Sequence, residues 1–466
     1  MKLLGVLWNS MEEHWKDALV DIEQYGKIVK IYSIDFKQDF EPFIKSLYPF
    51  SETEMWKAEY KIAGLLNQYK DNKIHIVLMD IPKTEKVFLP QKDKYMYSNV
   101  LEMKVAIRHK YKHLLKDNEF GKQNGVSYDN VFHMTDDELE YEDNLFSILP
   151  FLIKHNTDSS AFELDDFIET DNIKVEPNGS RNAFWLTPSI MFKEQTDGTF
   201  ESYSELFDMY LMRHLGLNNS CYYGLAQYNG KLGVITKRLN QKGENLYLGS
   251  DILNSYGIYD KKELIYYNSL NMFPMIIKRF CADNNYIYSE DIEMEFEKLF
   301  MYDLMTMQAD RNPSNWAIIC NEETRQISLK YFDHSNMLFF DNPRAVEDFS
   351  NGNLDLEDYI CNNITTFLIY DSSDIELCHL SKLIHVKKFF ERADERQMNI
   401  FNKMFSSIDH DLINQIINEV EADNRVKLPE DFKKALIQGF DFYKQEIIKI
   451  RENLNKGKVK TLCKKN

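Results

Sequence analysis

At 466 residues, with 44% hydrophobic and 14% aromatic side chains, the chain has enough apolar material for more than one core, which excludes broad disorder. Its formal net charge of −18 excludes direct binding to nucleic acid, which needs a basic face, but leaves nucleotides open because Mg²⁺ can bridge phosphates to carboxylates. No apolar run is long enough to cross a bilayer, the apolar start MKLLGVLW gives way to Glu12 and Glu13, and the six scattered cysteines form no CxxC pair, so a cytoplasmic protein with reduced thiols and no membrane contact is expected.

Leu3 to Leu7 reads as a strand. Ser10 and Glu13 then form a capping box for a helix whose buried stripe is Trp15, Ala18, Leu19 and Ile22 and whose stop is Gly26. Ile28 to Ile34 is a second strand. A second box, Ser51 with Glu54, opens a helix to about Tyr69, and Ile74 to Met79 is a buried strand ending before Pro82. This order predicts a small α/β sandwich over residues 1–155, with an accessory or regulatory role. Residues 154–177 are polar and acidic and are expected to connect two domains. Residues 170–260 are β-rich, interrupted by one helix from Tyr203 to Leu215. Residues 261–455 are helical apart from two short strands near 316–332, and 456–466 form a lysine-rich tail.

The most informative stretch is residues 299–338. A helical stripe of Ile292, Phe296, Leu299, Phe300 and Met307 leads into Asp310, Arg311, Asn312, Pro313, Ser314 and Asn315. Trp316 to Cys320 and Ile327 to Phe332 form a hairpin, and Asp333 follows it directly. Phosphoryl transfer needs a carboxylate to orient the attacking hydroxyl and oxygen ligands to hold Mg²⁺ on the phosphates. Asp310 suits the first role; Asn315 and Asp333 suit the second. The hairpin would bring them together.

Asp310-Arg311, then Asn315, then Tyr331-Phe332-Asp333 resembles the catalytic and metal-binding loops of HipA-type serine/threonine kinases. Phosphoinositide kinases have a similar pattern, and their Asp-His is close to Asp333-His334. The resemblance covers roughly residues 175–450 and is specific only around 305–335. It implies an α+β fold: a bilobal protein-kinase-like module preceded by the small sandwich. It also implies that Lys193, ending the apolar strand Ile190-Met191-Phe192, meets the ATP phosphates and pairs with Glu205. Against that role, Ser202 and Glu205 alone would make a capping box. Gly179, Ser180 and Arg181 stand where a phosphate-covering loop should be, with only one glycine. Lys237 and Arg238 stand at the hinge beside adenine.

Asn130 to Asp136 is similar to the histidine motif of nucleoside diphosphate kinases, with Arg108 as a phosphate-binding candidate. Met134 replaces the motif glycine and Trp8 the first-strand lysine, so a ferredoxin-like or nucleoside diphosphate kinase-like sandwich without activity at His133 is expected. The sequence thus points to an ATP- and Mg²⁺-dependent kinase acting on a protein serine or threonine, its own chain included, in a toxin or regulatory setting. A small-molecule or lipid kinase, or a non-catalytic pseudokinase, is the alternative. The acceptor and the oligomeric state stay open.

Overall fold

Strand β1 (Lys2–Leu7) is buried along almost its whole length because its run of leucine and valine is covered on both faces. It belongs to a computed structural model describing residues 1–36, 39–48, 63–65, 72–90, 94–115, 130–156, 161–168, 174–175, 181–241, 243–362, 368–377 and 381–463. After it come α1 (Trp15–Glu23), β2 (Lys27–Asp35), α2 (Phe40–Leu47) and β3 (Lys73–Asp80). A hairpin of β4 (Lys86–Leu89) and β5 (Lys94–Tyr97), then α3 (Ser98–Tyr111), β6 (Phe132–Met134) and α4 (Glu138–Lys154) complete the first unit. Its sheet has the order β2-β3-β1-β6, and every neighbouring pair is antiparallel. β3 lies between β1 and β2, and β1 between β3 and β6, so the connections from β1 to β2 and from β3 to β6 each span an intervening strand, while α2 joins the neighbours β2 and β3. This is a split β-α-β arrangement.

The first capping box does not form. Ser10 lies inside a 3₁₀ turn, Asn9–His14, and its hydroxyl donates to the Asn130 carbonyl at 2.6 Å. A tertiary acceptor takes the group that local sequence would aim at the helix end. Ser51, Glu54 and their helix lie outside the described residues.

The segment after α4 is more anchored than its acidic composition suggests. β7 (Phe162–Glu163) pairs in parallel with β11, defined below, and Phe162, Leu164, Phe167 and Ile168 are all buried. The second sheet runs β7-β11-β12-β10-β9-β8, from β8 (Lys174–Val175), β9 (Ala183–Thr187), β10 (Ile190–Glu194), β11 (Tyr223–Tyr228) and β12 (Lys231–Lys237). Helix α5 (Glu201–His214) packs on it.

Because successive strand residues face opposite ways, this sheet joins two cores. Tyr223, Leu225 and Val234 face α5 and the helical region. Ile190, Phe192, Ala226 and Ile235 face the sandwich. One core therefore runs from the N-terminal unit into the second sheet.

β13 (Glu244–Leu248) leaves that sheet and pairs with a hairpin of β14 (Trp316–Asn321) and β15 (Ile327–Tyr331). The helices of this region are α6 (Gly249–Ser255), α7 (Lys261–Tyr267), α8 (Phe273–Asn284), α9 (Asp291–Thr306), α10 (Pro343–Ser350), α11 (Leu356–Asn362), α12 (Lys382–Arg392), α13 (Glu395–Ser407), α14 (His410–Asn424) and α15 (Glu430–Cys463). The fold class is α+β: a β-rich small lobe, a helical large lobe and an α/β sandwich against the outer face of the small lobe. Among the described residues no helix is long and apolar enough to cross a membrane.

Candidate active site

Lys193 lies on β10 with the opposite facing to Ile190 and Phe192, so it points away from the sandwich core and towards α5. Its Nζ is 3.1 Å from Glu205 Oε1 and 3.1 Å from Asp333 Oδ1. Burial alone would favour the neutral amine, but Asp333 and Glu205 outweigh it and raise the ammonium pKa. The Tyr223 ring lies 5.8 Å away.

Glu205 is fully buried on α5 and serves this cluster rather than a helix cap. The helix begins after Phe200 with no side-chain cap, and among the described residues the Ser202 hydroxyl has no hydrogen-bond partner. The capping box at Ser202 and Glu205 is therefore overturned: two cations outcompete backbone N–H groups for the carboxylate. The second cation is Arg181, whose Nη2 is 2.7 Å from Glu205 Oε1 and 3.7 Å from Asp333 Oδ1. The sequence placed Arg181 on a covering loop. The structure buries its guanidinium within the ion cluster, where Nη1 makes no hydrogen bond. Gly179 and Ser180 lie outside the described residues.

Across from these groups, α9 ends at Thr306 and the chain turns through Met307 at φ +61°. Asp310 accepts a hydrogen bond from Asn312 Nδ2 at 2.8 Å, and Asn315 Nδ2 donates to the Asp310 carbonyl at 2.6 Å. Arg311 is buried and holds this loop to the hairpin. It donates to Asp303 at 3.0 Å, to the Phe332 carbonyl at 2.8 Å and to His334 Nδ1 at 2.9 Å. Phe332 N–H donates back to the Asn315 carbonyl at 3.1 Å. The hairpin thus brings Asn315 beside the Phe332-Asp333 turn.

Asp333 sits in the left-handed region at φ +59°, which an aspartate tolerates better than most residues. Burial pushes its carboxyl up, but Lys193 and Arg181 prevail and hold it well below the usual carboxylate range. Asp310 shifts the other way. Burial raises its pKa, the Asn312 hydrogen bond offsets part of this, and the Asp333 charge adds to it.

The donor set fits Mg²⁺. Among the described residues, every side-chain contact of Asp333 is made through Oδ1, which leaves Oδ2 as the oxygen for an ion. Asn315 commits its amide nitrogen to Asp310, which leaves the amide oxygen as the ligating atom. Among the described residues no cluster of three or more His, Cys, Asp or Glu suits a metal.

Lys237 and Arg238 do not join the cluster. Lys237 shares the facing of Ile235 on β12, so it turns to the sandwich, with Nζ 4.1 Å from the Phe146 ring centre. Arg238 donates to Asn240 Oδ1 at 2.9 Å. The nucleoside diphosphate kinase resemblance gains no support either: His133 is buried with its ring edge-on to Tyr48, and Arg108 donates to the Phe132 carbonyl.

Sequence reasoning missed the buried network under both loops. Tyr302 Oη and Gln308 Nε2 each donate to Asp208 at 2.5 Å, Gln308 also reaches the His334 carbonyl at 2.7 Å, and Lys382 donates to the Asp303 carbonyl at 2.8 Å. Burial pushes the Asp208 carboxyl up to about 7 despite those donors and pushes the Lys382 ammonium down to about 7. A signal for Asp208 existed: Ser204, Glu205 and Asp208 form a polar stripe on one helix face. Lys382, far along the chain, had none.

A bilobal kinase-like fold with a cation–carboxylate cluster in its cleft is the class that fold and site define. No family model and no curated protein matches the chain. Among solved structures, the Helicobacter pylori proinflammatory kinase CtkA is similar with a TM-score of 0.46 and 17% identity, over 63% of this chain and 98% of that one. HipA in the Shewanella oneidensis MR-1 toxin–antitoxin complex with HipB and operator DNA is similar with a TM-score of 0.31 and 10% identity, over 60% of this chain and 62% of that one.

Proposed function

We propose that this protein is an ATP- and Mg²⁺-dependent kinase that transfers the γ-phosphate to a serine or threonine hydroxyl of a protein, its own chain included. One observation carries the reading: the buried Lys193–Glu205 pair meets Asp333 across the cleft, with Asp310 and Asn315 held on the same hairpin edge. Lys193 and Arg181 supply positive charge for the phosphates. Asp333 and Asn315 would hold Mg²⁺, which when bound neutralises phosphate charge and orients the transferring group. Asp310 orients the acceptor hydroxyl and receives its proton, and its raised pKa makes it a better base than an ordinary carboxylate. The HipA-type resemblance around 305–335 extends the proposal to a toxin or regulatory setting.

The second reading, a small-molecule or lipid kinase, was motivated by Asp333-His334. The His334 ring is buried and accepts a hydrogen bond from Arg311, so it serves to hold the loop rather than to touch a substrate. Calorimetry of the full chain with ATP, with and without Mg²⁺, tests the proposal together with transfer of labelled γ-phosphate to protein. Binding that chelation abolishes, with label on serine or threonine, is expected. No binding with Mg²⁺ present sinks the kinase reading. Binding without transfer to any acceptor leaves a pseudokinase.

A further inference from the structure

We infer that Tyr210 and Asp423 are positioning residues that hold Glu205 against Lys193, and that the N-terminal sandwich joins them through Lys154. The inference rests on the kinase reading above for what Glu205 does, but the mechanical link stands on its own contacts.

Helix α5 carries Glu205 towards the cleft and Tyr210 five residues further on. At 100° per residue this places Tyr210 well round the helix from Glu205. There α5 meets α14 of the large lobe. Tyr210 Oη donates to Asp423 Oδ2 at 2.6 Å, and His214 Nε2 lies 2.9 Å from Glu419 Oε2. Between these polar contacts, Ile413, Ile416 and Val420 of α14 share a core with Leu206 and Met209 of α5. The end of α14 is also pinned to the small lobe, because Asn424 Oδ1 accepts from Leu225 N–H at 2.8 Å.

The other oxygen of Asp423 faces the sandwich. Lys154, the last residue of α4, places Nζ 3.3 Å from Asp423 Oδ1 and 3.1 Å from Asp39 Oδ2. His155 Nε2 lies 3.1 Å from the same Asp39 oxygen, and Arg425 donates to the Asn156 carbonyl. α4 also lies flush on β11: a Cβ at Gly224 would come within 2.9 Å of Ile153 Cδ1. Asp423 is thus one carboxylate with two clients, Lys154 from the sandwich and Tyr210 from the helix that carries Glu205.

The physical consequence concerns freedom of motion. A glutamate on a helix that can swing away from its lysine makes that ion pair a switch. Here α5 is held from outside by α14, the small-lobe sheet and, through Asp423, the sandwich. These contacts hold the Lys193–Glu205 pair assembled, and loosening them should loosen the pair.

The test compares the full-length chain with Tyr210→Phe, Asp423→Ala, Asp423→Glu and Lys154→Met. Amide hydrogen exchange across Glu201–His214 and steady-state ATP kinetics are both measured. Tyr210→Phe and Asp423→Ala should speed exchange in that helix and raise the KM for ATP about tenfold, the scale of a hydrogen bond to a charged group, with kcat within about twofold. Asp423→Glu should recover most of the KM. Lys154→Met should act in the same direction by only about twofold, since its ion pairs are partly solvated. A lowered melting temperature with unchanged KM and unchanged exchange in α5 overturns the inference. If the wild-type chain binds no Mg-ATP, the kinase proposal fails separately. Exchange then decides the link: faster exchange confined to α5 keeps it, and equal exchange overturns it.

Discussion

Two carboxylates, Asp136 in the sandwich and Asp333 in the cleft, each sit between two cations, and their surroundings separate a structural ion cluster from a candidate site. In the sandwich, Asp136 is bound by Lys94 and Lys104, and Lys104 also donates to the Met134 carbonyl at 2.6 Å. The Asp136 side chain is 2% exposed. In the cleft, Asp333 is bound by Lys193 and Arg181, but its side chain is 34% exposed, its Oδ2 meets no partner among the described residues, and its cations are shared with Glu205. The charges are alike. One cluster is closed around its carboxylate; the other keeps a carboxylate oxygen on a left-handed backbone turn at a partly exposed edge. A carboxylate that is neutralised but still accessible can exchange its partner for a metal ion, and a sealed one cannot.

The comparison is broken most sharply by variants that should fail in different ways. Asp310→Asn should lower turnover by about 10²–10⁴-fold, the scale of a positioned acid or base, while ATP affinity stays near normal. Asp333→Asn should weaken Mg-ATP binding along with turnover, and extra Mg²⁺ should restore part of the binding. A Mg²⁺ titration with both variants checks this, and the opposite pattern would mean the roles are exchanged. Asp136→Ala should leave ATP kinetics alone but destabilise the protein by about 3–5 kcal/mol, because it strands the buried Lys104 ammonium. Urea unfolding measures that, and a loss under about 1 kcal/mol would show the sandwich cluster to be dispensable.

Smaller effects sharpen the picture. Lys193→Ala should raise the KM for ATP and lower kcat, each by about tenfold, since one charge-assisted contact serves both ground and transition states. The acid limb of the kcat/KM profile should lie above the ordinary carboxylate range. A base works deprotonated, so activity falls as pH drops through the raised pKa of Asp310. A limb at the usual carboxylate value would exclude Asp310 as the base. Lys237→Ala should change stability by no more than about 0.5 kcal/mol and leave the ATP KM unchanged, because its side chain faces Phe146 rather than the cleft. A changed KM would mean the facing of β12 is misread.

Much of the large-lobe motif was legible because it is local. Asp310, Asn315 and Asp333 are tied by a short loop and one hairpin, and two apolar-rich runs joined by the polar turn Asn321 to Thr324 announce β14 and β15 within a residue of their ends. Glu205 was ambiguous because a capping box and a buried ion pair ask for the same residue type. Lys237 was misplaced because a strand lysine near a hinge looks useful until the parity of β12 is known. The acidic stretch after α4 read as a connector because Phe162, Leu164 and Phe167 are too sparse to signal a strand edge.

By itself the sequence determined the two strands at 316–332 and the hairpin that gathers Asp310, Asn315 and Asp333, because apolar runs and short spacings encode them locally, while the pairing of Lys193 with Glu205 came only from the family resemblance. Only the tertiary structure decided that Arg181 enters the ion cluster, that Ser10 bonds to Asn130 rather than capping a helix, and that Lys154, Asp423 and Tyr210 meet. Those contacts join residues tens to hundreds of positions apart. No local propensity encodes them, because they exist only when the two cores form on opposite faces of one sheet.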